Sequence, residues 1–70
     1  MEKLDLHNTR HIDVYKKVIN FIEKNWNSDI EQEIITGHSK KMKGLVIKVL
    51  KEYDLNYVTD YNVGYIKIIK

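Results

Sequence analysis

The sequence predicts an α/β fold, a βαβαββ two-layer sandwich with two helices on one face of a four-stranded mixed sheet. Three observations predict it. Two segments carry apolar residues at helical spacing, four short segments are alternating or rich in β-branched residues, and the 70 residues contain no linker. A chain of this length has room for a single domain, residues 1–70, with a compact core.

The first strand is predicted at Leu4-Asp5-Leu6-His7, where apolar and polar residues alternate. Successive side chains of a strand point to opposite faces, so we expect Leu4 and Leu6 to face the core. Asp5 and His7 would then share the other face, close to the end of the strand.

The first helix is predicted over residues 10–26, after a turn at Asn8 and Thr9 that can supply its cap. One apolar stripe recurs every three or four residues: Ile12, Tyr15, Ile19, Ile22 and Trp26, with Val18 beside it. The second helix is predicted over residues 41–53, with Ser39 as its cap and an unbroken apolar stripe. Gly44 lies inside it, and a close approach of the helix to the sheet is one reason for a glycine there.

The remaining strands are predicted over residues 30–36, 55–60 and 65–69, with a hairpin loop between the last two. The first two strands should be parallel with a right-handed crossover, and the last two antiparallel. The predicted core includes residues from both helices and the second strand: Ile12, Ile19, Ile22, Ile34, Leu45 and Val49. The sheet face without helices should be exposed or should bind a partner.

The composition is that of a globular protein, with 43% hydrophobic and 31% charged residues. The absence of cysteine excludes disulfides and thiolate metal sites, and it favours a cytoplasmic location. No segment approaches the roughly 20 apolar residues of a membrane span, so no membrane contact is expected. The net charge of +2 does not by itself indicate nucleic-acid binding, so the distribution of charge has to decide.

Two short motifs stand at the ends of the first two strands, namely Leu4-Asp5-Leu6-His7-Asn8 and Thr36-Gly37-His38-Ser39. With its order of elements, the chain resembles the Smr (small MutS-related) family, whose domains carry LDLHG and TGxG at these places. The resemblance implies nucleic-acid binding and nicking of DNA or RNA. Asn8 and Ser39 each replace a family glycine. Asparagine tolerates positive φ, so the first turn should be retained, whereas the second change bears on cleavage more than on fold.

Asp5 and His7 are the candidate catalytic residues, because an imidazole beside a carboxylate can transfer protons near neutral pH. The structural alternative is an aspartate that caps a loop and a histidine that packs on a helix. The segment Thr36-Gly37-His38-Ser39 opens the second helix, where backbone N–H groups, the helix dipole and two hydroxyls attract a phosphate. The alternative here is an ordinary capped turn.

Basic residues at the two helix starts are predicted to form a positive rim that binds phosphate backbones without reading sequence: Arg10, His11, Lys40, Lys41 and Lys43. The structural alternative is a solvated helix face, which is what most runs of lysine are. Tyr61, in the last loop, is the best candidate for stacking on a base. No cofactor is assigned, although a divalent metal held by carboxylate and imidazole is an open alternative through Asp5, His7, His11 and His38.

Three functions follow from these sites. The chain is a nucleic-acid nicking endonuclease, a non-catalytic nucleic-acid binder that uses the same surface, or a protein-interaction or inhibitor module that uses its exposed sheet face or the edge of its hairpin.

Overall fold

The computed structural model of the chain describes residues 1–60 and 62–69, and the predicted stacking residue Tyr61 lies outside them. The elements follow the predicted βαβαββ order: β1 Glu2–Asp5, α1 His11–Lys24, β2 Gln32–Ile35, α2 Lys40–Glu52, β3 Asn56–Val58 and β4 Tyr65–Ile69. β2 and β3 are shorter than the predicted segments because strand pairing stops where the turns begin, and β4 has the predicted bounds. β1 has the predicted length but lies two residues earlier in the chain, so Leu6 and His7 follow the strand and belong to the turn after it. Neither described helix is long and apolar enough to cross a membrane.

The four strands form one mixed sheet in the order β1-β2-β4-β3. β1 and β2 are parallel, with Leu4 opposite Ile34, and β4 is antiparallel to both of its neighbours, β2 and β3. The predicted parallel unit and the predicted antiparallel pair are therefore both confirmed. Because β1 and β2 run in the same direction, the loops that follow them leave the same edge of the sheet.

Both helices pack on one side of the sheet, as predicted, and the core lies between these two layers. Its centre is fully buried and comes from every layer, including Leu6 after β1, Ile34 of β2, Ile66 of β4 and Val46 of α2. At roughly 25 cal/mol for each Å² of apolar surface removed from water, such side chains supply most of the folding free energy. The predicted inward positions of Leu6 and Ile34 are thus correct, and Leu4 packs against the same cluster.

The buried face of α1 differs from the predicted stripe. Ile12 is 82% exposed and Tyr15 is 54% exposed, whereas the buried residues of this helix are Val14, Val18, Phe21 and Ile22. The two stripes are offset by one residue, which is about 100° of rotation at 3.6 residues per turn. Ile12 was therefore wrongly placed in the core. The helix turns Phe21 and two valines inward and leaves Ile12 in solvent.

Ser39 caps α2 as predicted, since its Oγ accepts a hydrogen bond from the N–H of Met42 at 3.1 Å. The predicted cap of α1 is absent, because Arg10 occupies that position and its side chain makes no capping bond. The proposed reason for Gly44 is also wrong. Gly44 is exposed, and a methyl group built on it would meet nothing within 4 Å, so no close approach to the sheet requires a glycine there.

Candidate functional site

The first motif forms a tight turn at the carboxyl edge of the sheet. The N–H of Leu6 still donates to the carbonyl of Ile35 at 2.8 Å, and the N–H of Thr9 then donates back to the carbonyl of Leu6 at 2.9 Å. His7 and Asn8 are the two residues inside this turn. Among the described non-glycine residues only Asp54 has a positive φ, so the turn requires no left-handed residue at position 8. The turn therefore needs no glycine at position 8, and the tolerance of asparagine for positive φ is not used there.

Asp5 and His7 form a direct pair in this turn. Nδ1 of His7 lies 2.5 Å from Oδ1 of Asp5, and the backbone N–H of His7 donates to the same oxygen at 3.1 Å. Both side chains remain about half exposed, at 56% for His7 and 52% for Asp5. The alternative in which His7 packs against a helix is excluded by this exposure, whereas the loop-capping role of Asp5 coexists with the pair.

The pair lowers the pKa of Asp5 below its ordinary value of 3.8, through the side-chain hydrogen bond from His7 first and the backbone one second. Partial desolvation of the carboxylate opposes this effect but does not cancel it. A carboxyl group with a depressed folded pKa stabilises the fold above its unfolded pKa. That contribution is lost as the pH falls through the lower, folded value.

We expect His7→Ala to raise the pKa of Asp5 toward 3.8, because the larger of the two hydrogen bonds disappears while the backbone bond remains. Carbonyl-detected NMR titration of the Asp5 carboxyl group measures this change directly. His11→Ala is the matched control, since no bond joins His11 to Asp5. An Asp5 pKa that is the same in wild type and His7→Ala would show that the pair does not form in solution.

The second motif lies beside the first, as the parallel strands predict. A methyl group added at Gly37 would lie 3.9 Å from Cβ of His7. Gly37 has φ of +70°, a conformation in which any other residue is strained. The N–H groups of Thr36 and Gly37 both donate to the carbonyl of Gly64, at 2.9 and 3.0 Å. The two glycines are packed so closely that a methyl group on Gly64 would lie 3.2 Å from Cα of Gly37.

These bonds correct part of the predicted phosphate turn. Thr36 is buried, and its hydroxyl donates to the carbonyl of Gly37 at 2.8 Å. Its hydroxyl and the N–H groups of Thr36 and Gly37 are therefore used to build the turn and are not presented to a ligand. His38, Ser39 and Lys40 are exposed at the start of α2 and are the residues of the motif region that face solvent.

Lys43 is the clearest correction to the predicted rim. It is 8% exposed, and its ammonium group donates to the carbonyl of Asp60 at 2.8 Å and to the carbonyl of Val63. A lysine held by two carbonyls inside the fold cannot reach a phosphate without unpacking. The helical spacing could have shown this, because Lys43 lies three residues before Val46 and seven before Leu50, which are both fully buried.

The other predicted basic residues are exposed near the helix starts: Arg10, His11, His38, Lys40 and Lys41. Arg10 forms an ion pair with Asp13 at 3.4 Å, and its side chain is largely in solvent while that of Asp13 is half-buried. Within residues 1–60 and 62–69, no three histidine or acidic side chains gather closely enough to hold a metal ion. The proposed set of Asp5, His7, His11 and His38 is thus not brought together, and only Asp5 and His7 are in contact.

Two contributors to the site escaped the sequence analysis. Gly64 was assigned only to a hairpin loop, yet its carbonyl anchors the second motif. The sequence predicts Asn8 only as a turn residue and as a possible cap of the first helix, yet its Nδ2 lies 3.0 Å from Nε2 of His7. The position of Asn8 next to His7 in the sequence is a weak signal, because neighbouring side chains in a turn seldom meet.

Comparisons of the chain with protein-family models, with curated proteins and with solved structures found no match.

Proposed function

We propose that this chain binds the phosphate backbone of nucleic acid at the sheet edge that carries Asp5 and His7, and that His7 transfers protons there in phosphodiester cleavage. One observation carries the proposal, which is the contact of Nδ1 of His7 with Asp5 in a half-exposed turn next to Gly37. The resemblance of the two motifs to those of Smr domains points to the same chemistry.

The pair of Asp5 and His7 suits acid–base catalysis because the two ring nitrogens of His7 have different roles. Asp5 accepts from Nδ1, which fixes the ring and stabilises the imidazolium that forms during reaction. Nε2 then takes the proton of an attacking water as the water oxygen bonds to phosphorus. The bond from phosphorus to the leaving oxygen breaks, and the imidazolium returns the proton to that oxygen. Metal and chelator arms of the assay test separately whether cleavage depends on a divalent cation, for which the described residues gather no set of three ligands.

The binding part of the proposal depends on exposed positive groups at the starts of the two helices. Lys40 and Lys41 begin α2, where the helix dipole adds to their attraction for a phosphate. Arg10 and His11 begin α1 at the same edge of the sheet. Such contacts neutralise the backbone and release counterions, so they confer affinity without sequence preference.

We expect the double substitution Lys40→Glu, Lys41→Glu to weaken binding to all sequences alike and to flatten its salt dependence by about one unit of slope per lost contact. Fluorescence anisotropy with single-stranded, double-stranded and structured DNA and RNA measures both effects. Lys43 is left intact because its removal would leave two carbonyls without their donor.

The matched control is Lys16→Glu, Lys48→Glu, which makes the same change of charge at exposed positions farther along the two helices. Equal loss of affinity in the two double variants would mean that only net charge matters. Unchanged affinity in the Lys40, Lys41 variant would contradict a phosphate contact at the start of α2.

A protein-interaction role is the second candidate, and exposed apolar side chains away from Asp5 and His7 favour it. Ile30 is 52% exposed, Val58 57% and Ile69 44%; β3 is an edge strand, and Ile69 ends the strand beside it. If the chain binds none of the nucleic acids in the salt titration, this role replaces the first.

A further inference from the structure

Asn8 contacts the one nitrogen of His7 that the proposed chemistry needs. Its Nδ2 lies 3.0 Å from Nε2, while Nδ1 on the other side of the ring is held by Asp5. An amide nitrogen can only donate, so Nε2 is the acceptor in this contact. Both nitrogens of the ring are therefore occupied in the free protein, and Nε2 has no second lone pair with which to accept a proton from a nucleophile.

We propose that Asn8 shields Nε2 of His7 in the free protein and releases it when the amide of Asn8 donates instead to a phosphate oxygen of the bound strand. The inference rests on the proposed function, because the competing acceptor is a phosphodiester. A phosphate oxygen carries charge and accepts a stronger hydrogen bond than a neutral imidazole does, so the exchange is favourable. Asn8 is thus a positioning residue that couples binding of the nucleic-acid strand to exposure of Nε2 of His7, the general base.

The local geometry permits this exchange. Asn8 and His7 are both exposed, so neither side chain has to leave a packed environment. The amide swings on a turn whose shape is held by backbone bonds at Leu6 and Thr9, and these bonds do not involve the side chain of Asn8. Since position 8 has no positive φ, the backbone does not need asparagine there. Within residues 1–60 and 62–69, the contact with His7 is the one hydrogen bond that the side chain of Asn8 makes.

Acylation of histidine by diethyl pyrocarbonate tests the shielding without any substrate, because a ring nitrogen with an unshared pair attacks a carbonyl carbon of the reagent and displaces its carbonate group. In Asn8→Ala, we expect the rate at His7 to rise about 2- to 10-fold, the amount that one neutral hydrogen bond can withhold. Peptide mass spectrometry follows His7, His11 and His38 in the same sample, so the two other histidines are internal references. Asn27→Ala is the matched control, since Asn27 is an exposed asparagine outside the turn.

Binding of a single-stranded oligonucleotide tests the exchange. We expect Asn8→Ala to weaken affinity about 3- to 10-fold, because the variant loses the difference between a charge-assisted hydrogen bond to phosphate and the neutral bond to His7 that it replaces. An unchanged rate of acylation at His7 overturns the shielding. Faster acylation with unchanged affinity overturns the exchange with phosphate.

Failure of the proposed function gives a different pattern. Wild-type protein would then bind no oligonucleotide at any salt concentration, and the exchange would fall with it. Faster acylation of His7 in Asn8→Ala would in that case still establish the contact between Asn8 and His7, with no role in binding a strand.

Discussion

Replacing His7 with alanine should lower phosphodiester cleavage by about 10²- to 10⁴-fold, the usual contribution of a general acid–base group. Nε2 is the only ring nitrogen left to transfer a proton, because Nδ1 is committed to Asp5. Single-turnover cleavage of the best substrate, compared at equal occupancy of wild type and variant, isolates the chemical step. Binding should stay nearly unchanged, since the rim residues are not altered.

The control for this experiment is His38→Ala, which removes an exposed imidazole from the neighbouring motif and leaves the Asp5 pair intact. Asp5→Asn should lower the rate of cleavage by a similar or smaller factor than His7→Ala, because it removes the carboxylate that orients the imidazole but leaves His7 as the general base. If cleavage persists in His7→Ala and disappears in His38→Ala, the reacting group belongs to the second motif. If wild type cleaves nothing with metal or with chelator, only the binding half of the proposed function survives.

Replacing Ile34 with alanine should reduce the free energy of unfolding by about 2–5 kcal/mol, the range for such a truncation in a core. Ile34 is fully buried on the central strand β2, between Leu4 of β1 and Ile66 of β4. A small domain has typically about 5–15 kcal/mol in total, so this one change removes a large part of its stability. Urea unfolding followed by circular dichroism gives the difference.

Ile12→Ala is the matched control because it removes the same atoms from a side chain that is 82% exposed. We expect it to change stability by no more than about 0.5 kcal/mol, as is usual for surface positions. A cost for Ile12→Ala close to that of Ile34→Ala would show that α1 buries the stripe that contains Ile12 in solution.

The order and type of all six elements could be predicted because each depends on local periodicity. Alternation in the first motif placed Leu6 inside and Asp5 outside, and both positions are correct. The rotation of α1 could not be predicted in the same way. Two neighbouring stripes of that helix are both apolar, and only packing against α2 and the sheet selects the one that contains Val14 and Phe21.

The candidate site was predictable to the extent that strand direction determines it. His7 and Gly37 lie next to each other because β1 and β2 are parallel and both residues follow the same ends of these strands. Hydrogen bonds between segments distant in sequence were not predictable. Helical spacing places Lys43 on the buried face of α2, but the two carbonyls that accept from its ammonium group lie 17 and 20 residues away, and the role of Gly64 depends on a close approach that only the folded chain creates.

The connection between β3 and β4 is, by its position, an ordinary surface loop, which in most domains accepts inserted tags or exchanged sequences. Here its carbonyls at Asp60, Val63 and Gly64 hold α2 and the second motif in place. Lengthening it would shift those acceptors and leave a buried ammonium group uncompensated. Protein engineering of this scaffold should therefore leave that loop intact. Insertions belong at residues 27–30, between α1 and β2, at the opposite end of the strands from His7.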